Sequence, residues 1–569
     1  MHHMVLGILM AAASALSADD AGLNAERDDS SLVDVIVQFR HPPTEGHHNR
    51  VLARGGQLRH RLDIVSAAHY SIPAGQLYAL RGDPEIVHIS PNHALYATAT
   101  LPSKPDYGWL TVAGATSAAT KLPYDGTGIG VAVIDSGITD NVTDLNDTAG
   151  KTRIVYQESL IPGVISYSDD YGHGTMVAGL VGGNGNNSTC STCTYTVRGI
   201  APNVNIINLR VLDMNGSATD STVIAAIQRA IQLKNQYNIR VINLSLGRPV
   251  FESYAVDPLC QAVQKAWAAG IVVVVAAGNN GRNNTYGNEG YATINAPGNS
   301  PYVITVGAMN TLGTLSPYDD KITSYSSKGP TLIDHVVKPD LVAPGNRMYS
   351  VQANKSTLVN TYSNNRVAWS SYDSHKTGSP SPAYFELSGT SMAAPLVSGT
   401  AALMIQRDPT LTPDHVKARL MLTATKLPQL TTTSVDPATG IQYVSENDIF
   451  TIGAGYLNVP AALGNMDTAT LPATSPTASF DASKNIVKVI TGTGAVWGSN
   501  VAWGTGAVWG TGAIWGTNVV WGTGAVWGTN IAWGTGAVWG TAAIWGTGAV
   551  WGTGNVQGDA LTVAINGDN

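Results

Sequence analysis

The chain has 569 residues, of which 44% are hydrophobic and only 12% are charged, and its formal net charge is −7. This composition excludes a chain that is disordered throughout, because it supplies enough apolar side chains for one large core and accessory segments. The acidic balance, without any Lys/Arg-rich run, excludes the basic surface that binds a polyanion, so we expect no nucleic-acid partner.

The first segment, residues 1–18, reads MHHMVLGILMAAASALSA. Its apolar stretch of about 14 residues is too short to span a bilayer. The small residues that follow, such as Ala13-Ser14-Ala15, fit a signal-peptide cleavage site, although His2 and His3 stand where Lys or Arg is usual. The sequence therefore predicts a signal peptide over 1–18 and a secreted or cell-surface protein.

The second segment, residues 31–99, combines two kinds of pattern. SLVDVIVQFR, YSIPAGQLYAL and EIVHISPNHALYA are typical of β structure, and HHNRVLARGGQLRHRLDIV contains a helical pattern. This predicts a small β-α-β-rich unit of about 70 residues, which is short for an enzyme.

The third segment, residues 106–465, alternates apolar β runs with helical stretches. Runs that are apolar throughout and separated by helices are typical of parallel strands that are buried on both faces. The segment therefore predicts an α/β fold, in which a parallel sheet is flanked by helices on both faces. The predicted strands are GIGVAVIDSGI, NVNIINLRVL, IRVINLSLG, IVVVVAAGN and YVITVGAM.

The end of the chain has a different composition. Residues 466–492 are rich in Thr, Ser, Pro and Ala and predict a linker. Over 493–557, Trp recurs every six residues in units such as GTGAVW, without any Asp, Glu, Lys or Arg. The even period favours an ordered β unit with every Trp on one face, whereas the glycines equally favour a flexible tail. In either case we expect association with surfaces or with other copies of the chain, and no catalytic role.

The three cysteines do not form a disulfide framework. Cys190 and Cys193 lie in a polar loop as C-x-x-C, and Cys260 stands alone. A zinc or redox site would need two further ligands or a βαβ context, and the sequence around the pair offers neither. The pair is therefore interpreted as a local disulfide or as two unreactive thiols, and we predict no metal site.

Ser391 is a candidate nucleophile, since Gly389-Thr390-Ser391 stands directly before an apolar run that predicts a helix. A serine hydroxyl needs a base, and the base needs a third group that fixes its tautomer. His173 lies between glycines in YGHGTMVAGL, which would leave room for a substrate, and Asp135 ends a predicted strand at the edge where parallel sheets carry their sites. Taken singly, each residue is explained at least as well by a cap or a turn.

The three motifs together are far more specific than any one of them. Asp135-Ser-Gly, His173-Gly-Thr-x-Val-Ala-Gly and Gly-Thr-Ser391-Met-Ala-Ala-Pro, in that order, resemble the subtilase (subtilisin-like) family of serine peptidases. The resemblance covers residues 106–465. It implies an endopeptidase that acts on proteins or peptides, in which Asp135 orients His173, His173 serves as general base and then acid, and Ser391 forms the acyl-enzyme.

The resemblance also assigns an oxyanion hole. Asn279 in VVVVAAGNNG matches the family's oxyanion asparagine, and the backbone N–H of Ser391 would be the second donor. The alternative for this stretch is an Asn-Gly turn, which fits Asn280-Gly281 better than Asn279.

Substrate binding is assigned in the same way. Ser245-Leu246-Gly247 and Ala277-Gly278 match the family segments that pair with an extended substrate and form the wall of its first specificity pocket. Asn295 is expected near the floor of that pocket.

The family pattern further implies a precursor. Residues 31–99 match the usual N-terminal propeptide in size and texture, so we expect this unit to occupy the cleft in cis, with cleavage within ALYATATLPSKPDYGW. A small domain that stays attached is the alternative. The chemistry requires no cofactor, and a structural calcium ion is disfavoured because the loop 182–199, where many family members bind one, contains no carboxylate.

Other interpretations of the serine are weaker. An α/β-hydrolase needs a histidine after the nucleophile, and only His415, in a predicted helix start, follows Ser391. A chymotrypsin-like order through Asp213 would require a β-barrel. An inactive subtilase that serves as a surface adhesion or binding protein remains the alternative function, although the intact triad and oxyanion residues argue against it.

Overall fold

The structure is a computed structural model, and it describes residues 31–97, 124–284, 288–427, 429, 431–466, 472–481, 486–490, 519–521, 525–527 and 568. The predicted signal peptide, the predicted cleavage segment beyond Ala97 and most of the Trp repeat lie outside the described residues. Within the described residues, no helix has the length and apolar composition that a membrane span requires.

The N-terminal domain is an antiparallel sheet covered by short helices. The stretch HHNRVLARGGQLRHRLDIV is helical only at its start, and its second half forms a strand, Gln57–Leu62, because Gly55, with a φ of 82°, ends the helical part. The domain's own core contains Val35, Val37, Tyr70 and Leu80, whereas Leu62 and Leu95 belong to the large core of the rest of the molecule. The sheet order is β2-β3-β1-β4, and β5 lies apart from it. The elements are β1 (Leu32–Phe39), α1 (Glu45–Leu52), β2 (Gln57–Leu62), β3 (Ala67–Pro73), α2 (Leu77–Arg81), β4 (Ile86–Pro91) and β5 (Ala94–Ala97).

The second and larger domain has a central sheet of eight strands in the order β14-β13-β12-β10-β6-β8-β7, with β15 paired to β13. All pairs are parallel except β13 with β14. The five predicted strands are confirmed as β6 (Gly130–Asp135), β8 (Asn205–Arg210), β10 (Ile239–Leu244), β12 (Val272–Ala276) and β13 (Ile304–Asn310). The sequence prediction omitted β7 (Ile154–Ser159), β14 (Lys321–Ile322) and β15 (Leu341–Pro344).

Helices cover this sheet, so the predicted α/β class is confirmed. Helix α3 packs against α7, and α4 packs against α5. Each of these helices also contacts strands of the sheet. Local chemistry sets their ends: the side chain of Asp257 accepts from the N–H groups of Leu259 and Cys260 and so caps α5. The helices are α3 (Gly174–Gly182), α4 (Asp220–Tyr237), α5 (Pro258–Ala268), α6 (Thr357–Thr361), α7 (Thr390–Arg407), α8 (Pro413–Thr423) and α9 (Val459–Gly464).

The remaining strands form small sheets around this core. One three-stranded sheet has the order β11-β5-β9, a second has the order β16-β18-β17, and three antiparallel pairs follow along the chain. These strands are β9 (Ser217–Thr219), β11 (Leu246–Gly247), β16 (Met348–Val351), β17 (Arg366–Ala368), β18 (Pro380–Leu387), β19 (Thr431–Val435), β20 (Gln442–Glu446), β21 (Thr477–Asp481), β22 (Ile486–Ile490), β23 (Val519–Trp521) and β24 (Ala525–Trp527).

The segment 466–492 differs from the linker that its composition predicts. β21 and β22 pair within it, and the backbone N–H of Val337 donates to the carbonyl of Pro476. Ser475 is buried, and its hydroxyl donates to the carboxylate of Asp340 at 2.6 Å. This part of the segment therefore packs against the larger domain. Its serine satisfies a buried acceptor, which the composition alone does not reveal.

Candidate active site

Asp135 is the last residue of β6, so its buried carboxylate lies at the carboxyl edge of the sheet. Its Oδ1 accepts hydrogen bonds from Nδ1 of His173 and from the backbone N–H of Ser136, both at 2.7 Å. A carboxylate accepts and does not donate, so the neutral imidazole carries its proton on Nδ1. Nε2 is then the basic nitrogen of His173.

The glycines beside His173 have a backbone role that differs from the open space expected for them. A Cβ on Gly174 would lie 2.3 Å from the carbonyl oxygen of Gly137. Gly172 has a φ of 107°, which favours glycine, and a Cβ there would lie 2.4 Å from Oγ of Ser356. The contact between Gly174 and Gly137 brings the start of α3 against the turn that follows Asp135.

Asp169 holds this arrangement together, and the sequence prediction omitted it. Its Oδ1 accepts from the hydroxyl of Ser136 at 2.8 Å and from the N–H of Gly172 at 2.6 Å, and its Oδ2 accepts from the N–H of Thr175 at 2.8 Å. Burial raises the pKa of Asp169 above its ordinary value, although these hydrogen bonds oppose that shift. The only sequence signal was a pair of aspartates shortly before the His173 motif, which is common in loops.

Ser391 is the second residue of α7 and is fixed by two hydrogen bonds to Ser245. Its Oγ donates to the carbonyl of Ser245 at 2.9 Å, and its own carbonyl accepts from the Ser245 hydroxyl at 2.8 Å. That carbonyl is available because Pro395, four residues later, has no N–H to donate within the helix. Ser245 follows β10, which neighbours β6, so Ser391 lies at the same edge of the sheet as Asp135.

Asn279 lies against the start of α7. Its Oδ1 accepts from the N–H of Thr390 at 3.0 Å and from the Thr390 hydroxyl at 2.9 Å. The side-chain nitrogen Nδ2 is therefore directed away from these donors, and it is buried without a hydrogen-bond partner among the described residues. An unpaired buried donor is costly, so this amide, beside Ser391, is available to a developing negative charge.

The predicted substrate segment Ser245-Leu246-Gly247 forms one side of a slot for an extended chain. Its strand β11 and the strand β9 flank β5, and both pairings are antiparallel. Leu246 lies opposite Ala97 and Gly247 opposite Tyr96. The N-terminal domain thus occupies the slot. Sequence reasoning missed β9, whose Ser-Ala-Thr has no distinctive pattern.

Ala277-Gly278, the second predicted substrate segment, is joined to the first through Asn295. The N–H of Asn295 donates to the carbonyl of Ala277 at 3.0 Å. A Cβ on Gly278 would lie 2.9 Å from Cγ of Asn295, and one on Gly247 would lie 3.0 Å from its Cβ. The structure therefore brings Asn295 between the two segments, where the sequence prediction expected it.

Further contacts join the N-terminal domain to the larger domain. Nε2 of His88 lies 2.8 Å from Oε2 of the buried Glu252. The ring of His93 stacks on that of Phe251, with 4.2 Å between the ring centroids. Burial, together with the nearby Arg248, lowers the pKa of His93 to about 3, so this imidazole is neutral in the interface.

A disulfide joins Cys190 and Cys193, which decides between the two alternatives left open for this pair. Asp373 lies near them, but bonded sulfurs offer no thiolate to a metal ion. In the loop 182–199, the carbonyl of Gly182 accepts from the Arg153 guanidinium, so it is already paired. The expectation that this loop binds no calcium stays a prediction.

The chain is similar in sequence to proteins of known family. The model of the subtilase family matches residues 126–441. Serine protease AprX of Bacillus subtilis (strain 168) is 38% identical over 301 residues, which are 52% of this chain and 61% of AprX. Subtilisin DY of Bacillus licheniformis is 34% identical over 339 residues, which are 60% of this chain and 92% of Subtilisin DY.

A solved structure has a similar fold. It is fervidolysin from Fervidobacterium pennivorans, described as a keratinolytic enzyme related to subtilisin, with a TM-score of 0.56 and 20% identity over 82% of this chain and 66% of the fervidolysin chain. The family match covers more than half of this chain, and the alignment with Subtilisin DY covers nearly all of that relative. The chain therefore belongs to the subtilase family and is a serine endopeptidase.

Proposed function

We propose that the chain is a secreted endopeptidase, made as an autoprocessed precursor, which hydrolyses peptide bonds through an acyl-enzyme on Ser391. The observation that carries the proposal is the 2.7 Å hydrogen bond between Asp135 and His173. It fixes the tautomer that a serine peptidase needs, at the sheet edge where Ser391 and Asn279 also lie.

In the proposed reaction, Nε2 of His173 takes the proton of the Ser391 hydroxyl as Oγ attacks the substrate carbonyl. The oxygen of the tetrahedral intermediate accepts from Nδ2 of Asn279 and from the N–H of Ser391. His173 then gives its proton to the leaving amine, and water completes hydrolysis with the same histidine as base. Asp135 stabilises the imidazolium that forms in both halves.

Substrate binding and activation of Ser391 are linked through the carbonyl of Ser245. In the structure this carbonyl accepts from the Ser391 hydroxyl. Carbonyls two residues apart in a strand face the same edge, so the carbonyl of Ser245 is the next acceptor in line with Gly247, and a substrate that extends past Leu246 would present an N–H to it. The substrate would thereby release the Ser391 hydroxyl toward His173.

The N-terminal domain serves in this proposal as the propeptide. Its strand β5 lies where an extended substrate would bind, and its last residue, Ala97, lies opposite Leu246, the residue after Ser245. Autoprocessing within the residues after Ala97 would convert this bound strand into a product and inhibitor. The leader over 1–18 supports secretion.

The inactive alternative would leave the site without a use. A binding protein gains nothing from the buried, unpaired amide of Asn279, whose burial costs stability, or from an imidazole whose tautomer is fixed by Asp135, whereas hydrolysis uses both. These groups favour hydrolysis over adhesion as the role of the peptidase domain. The Trp repeat keeps its proposed role in apolar association.

A covalent probe tests the nucleophile directly. After incubation with a fluorophosphonate, which phosphonylates activated serines, mass spectrometry should find the adduct on the peptide that contains Ser391. Ser398→Ala, on the same helix, should still react, because its hydroxyl donates to Asn243 and lies outside the site. An adduct elsewhere, or labelling that persists in Ser391→Ala, would refute the assignment.

A further inference from the structure

Asp568 lies far along the chain from the active site in sequence, yet it is completely buried against the peptidase domain. Its carboxylate accepts three hydrogen bonds. Oδ1 accepts from Nη2 of Arg282 at 2.9 Å and from the hydroxyl of Ser324 at 2.7 Å, and Oδ2 accepts from the N–H of Ser324. A guanidinium, a hydroxyl and a backbone N–H converge on one carboxylate, which is a complete donor set for an anion.

The guanidinium of Arg282 is held in place by groups other than Asp568. Its Nη1 lies 3.0 Å from Oδ1 of Asp436, and its Nε donates to Oγ of Ser324 at 2.7 Å. It also lies over the rings of Tyr325 and Tyr443, 5.9 and 5.8 Å from their centroids. The charge is therefore positioned before any ligand arrives, which lowers the entropic cost of binding one.

The backbone of Asp568 is recognised as well as its side chain. The side-chain amide of Asn346 accepts from the N–H of Asp568 at 3.0 Å and donates to the carbonyl of Asp568 at 3.1 Å. A contact to both the N–H and the C=O of one residue recognises polypeptide backbone, not a free anion. Arg282, Ser324 and Asn346 thus match an aspartyl residue within a polypeptide, and Asp436 holds Arg282 in place.

The site is next to the candidate active site. Arg282 is three residues after Asn279, and Asn346 follows Gly345, whose carbonyl accepts from the N–H of Gly389 at 2.7 Å. Gly389 directly precedes the helix that carries Ser391. The strands that lead into the site are β12 and β15, whereas the slot for β5 is formed by residues after β8 and β10.

We propose that Arg282, Ser324, Asn346 and Asp436 form a binding site for an aspartyl residue of a peptide segment, with Asp568 of this chain as its occupant. Asp568 is thereby an intramolecular ligand of the peptidase domain. Binding at this site involves neither the triad nor hydrolysis, so its test is independent of the proposed function.

A labelled peptide tests the site in the full chain. The probe is fluorescein-VAINGDN, the sequence of residues 563–569, and every protein carries Ser391→Ala so that the probe is not hydrolysed. Asp568→Ala vacates the site. Fluorescence anisotropy should show binding to that double variant, and binding at least about tenfold weaker to Ser391→Ala alone, because the tethered Asp568 competes.

Four comparisons make the measurement specific. A probe with Asn in place of Asp, and the probe with Arg282→Gln added to the double variant, should each bind at least about tenfold more weakly, because a charged hydrogen bond is lost. Ser324→Ala, which keeps Arg282 and the backbone donor, should cost a smaller factor. Arg229→Gln removes a guanidinium that pairs with Glu158 elsewhere, and it should change nothing.

The measurements are made at pH 8, because burial raises the pKa of Asp568 although Arg282 and Ser324 oppose the shift. Melting temperatures of all variants identify any that fail to fold, and Ser324→Ala then replaces Arg282→Gln as the decisive variant. Equal binding of the Asp and Asn probes, or no binding to the double variant up to about 1 mM probe, would overturn the proposal.

Discussion

Two buried polar clusters in the peptidase domain differ in what they leave unpaired. In the cluster of Lys338, Asp340 and Lys417, both lysines contact the carboxylate, at 2.7 and 3.2 Å. Carbonyl oxygens and the Ser475 hydroxyl complete their hydrogen bonds. In the candidate active site, by contrast, Nδ2 of Asn279 is buried with no partner among the described residues.

The difference separates stabilisation from chemistry. Burial alone would raise the pKa of Asp340, but Lys338 and Lys417 lower it below its ordinary value, so this carboxylate is held ionised by its neighbours. A cluster that is fully paired has nothing to offer a substrate. A site with a donor in reserve sacrifices stability and can stabilise a charge that appears only during a reaction.

Ser391→Ala should have the largest effect. We expect loss of peptide hydrolysis by roughly 10⁶ in kcat, the loss measured for the triad serine of subtilisin, and accumulation of a precursor that still carries residues 31–99. Hydrolysis of denatured casein and the mass of the purified chain measure the two outcomes. Ser398→Ala is the matched control. Normal casein cleavage by Ser391→Ala would refute the triad assignment.

Asp340→Asn should break the paired cluster without touching the chemistry. It leaves two buried lysines without an anion, so we expect the free energy of unfolding to fall by about 3–5 kcal/mol. Urea unfolding in the Ser391→Ala background measures this, since self-digestion is then absent. Glu158→Gln disrupts a partly exposed pair with Arg229 and should cost less than about 1 kcal/mol. Equal losses in both variants would contradict the contrast between the clusters.

Asn279→Ala should have the opposite profile. Removal of the reserved donor should lower kcat by about 10²–10³, the range known for the oxyanion asparagine of subtilisin, with KM little changed. The loss of Oδ1, which accepts from Thr390, should cost less stability than Asp340→Asn, because it leaves no buried charge unpaired. Steady-state kinetics on a small peptide and a melting curve measure both properties. Asn280→Ala, whose amide already donates to Asn295, is the control. An unchanged kcat would reduce Asn279 to a turn residue.

Acid should weaken the contact between the N-terminal and peptidase domains. The pKa of His93 is lowered from its ordinary value of 6.5 to about 3, so the unfolded chain binds a proton that the folded chain refuses between these values. Above pH 6.5 His93 is neutral in both states and does not oppose folding. Below that pH the free energy of unfolding falls, by up to about 1.4 kcal/mol per pH unit. Ser391→Ala with His93→Phe should lose less melting temperature from pH 7 to pH 4.5 than Ser391→Ala alone. Parallel curves would contradict this.

Truncation after residue 466 should have the smallest effect on turnover. No triad or oxyanion residue is removed, so kcat/KM on a small peptide should stay within a few-fold of the full chain at a temperature where both are folded. Melting temperature should fall, because Ser475 and Asp568 are lost from buried hydrogen bonds. Sedimentation of both proteins tests whether the Trp repeat causes association. A collapse of turnover would make the removed part necessary to the catalytic fold.

The sequence predicted those parts of the molecule that depend on local pattern. The five parallel strands, and the motifs around Asp135, His173 and Ser391, follow from apolar runs and from residue types at fixed spacing. The pairing of Leu246-Gly247 with an extended chain followed from the family resemblance, although the sequence did not indicate that β5 would be the partner.

The parts that escaped prediction depend on contacts between distant residues. Asp169 serves the site only through hydrogen bonds to backbone that folding brings near, and β9 is a strand only because β5 lies beside it. No local pattern marks Ser475 or Asp568, and their hydrogen-bond partners lie more than 130 and 240 positions away, respectively. Such pairings leave no periodicity in a single sequence.

The position of β5 between β9 and β11 sets a conformational requirement on any protein that would be cut. A segment that replaces β5 must be extended and must have both of its backbone edges free, because it pairs on two sides. Segments of helices and interior strands of a folded protein have already used those groups. Cleavage of a folded target would therefore be limited by how often it unfolds locally, and susceptibility would rank proteins by local stability before it ranked them by side-chain sequence.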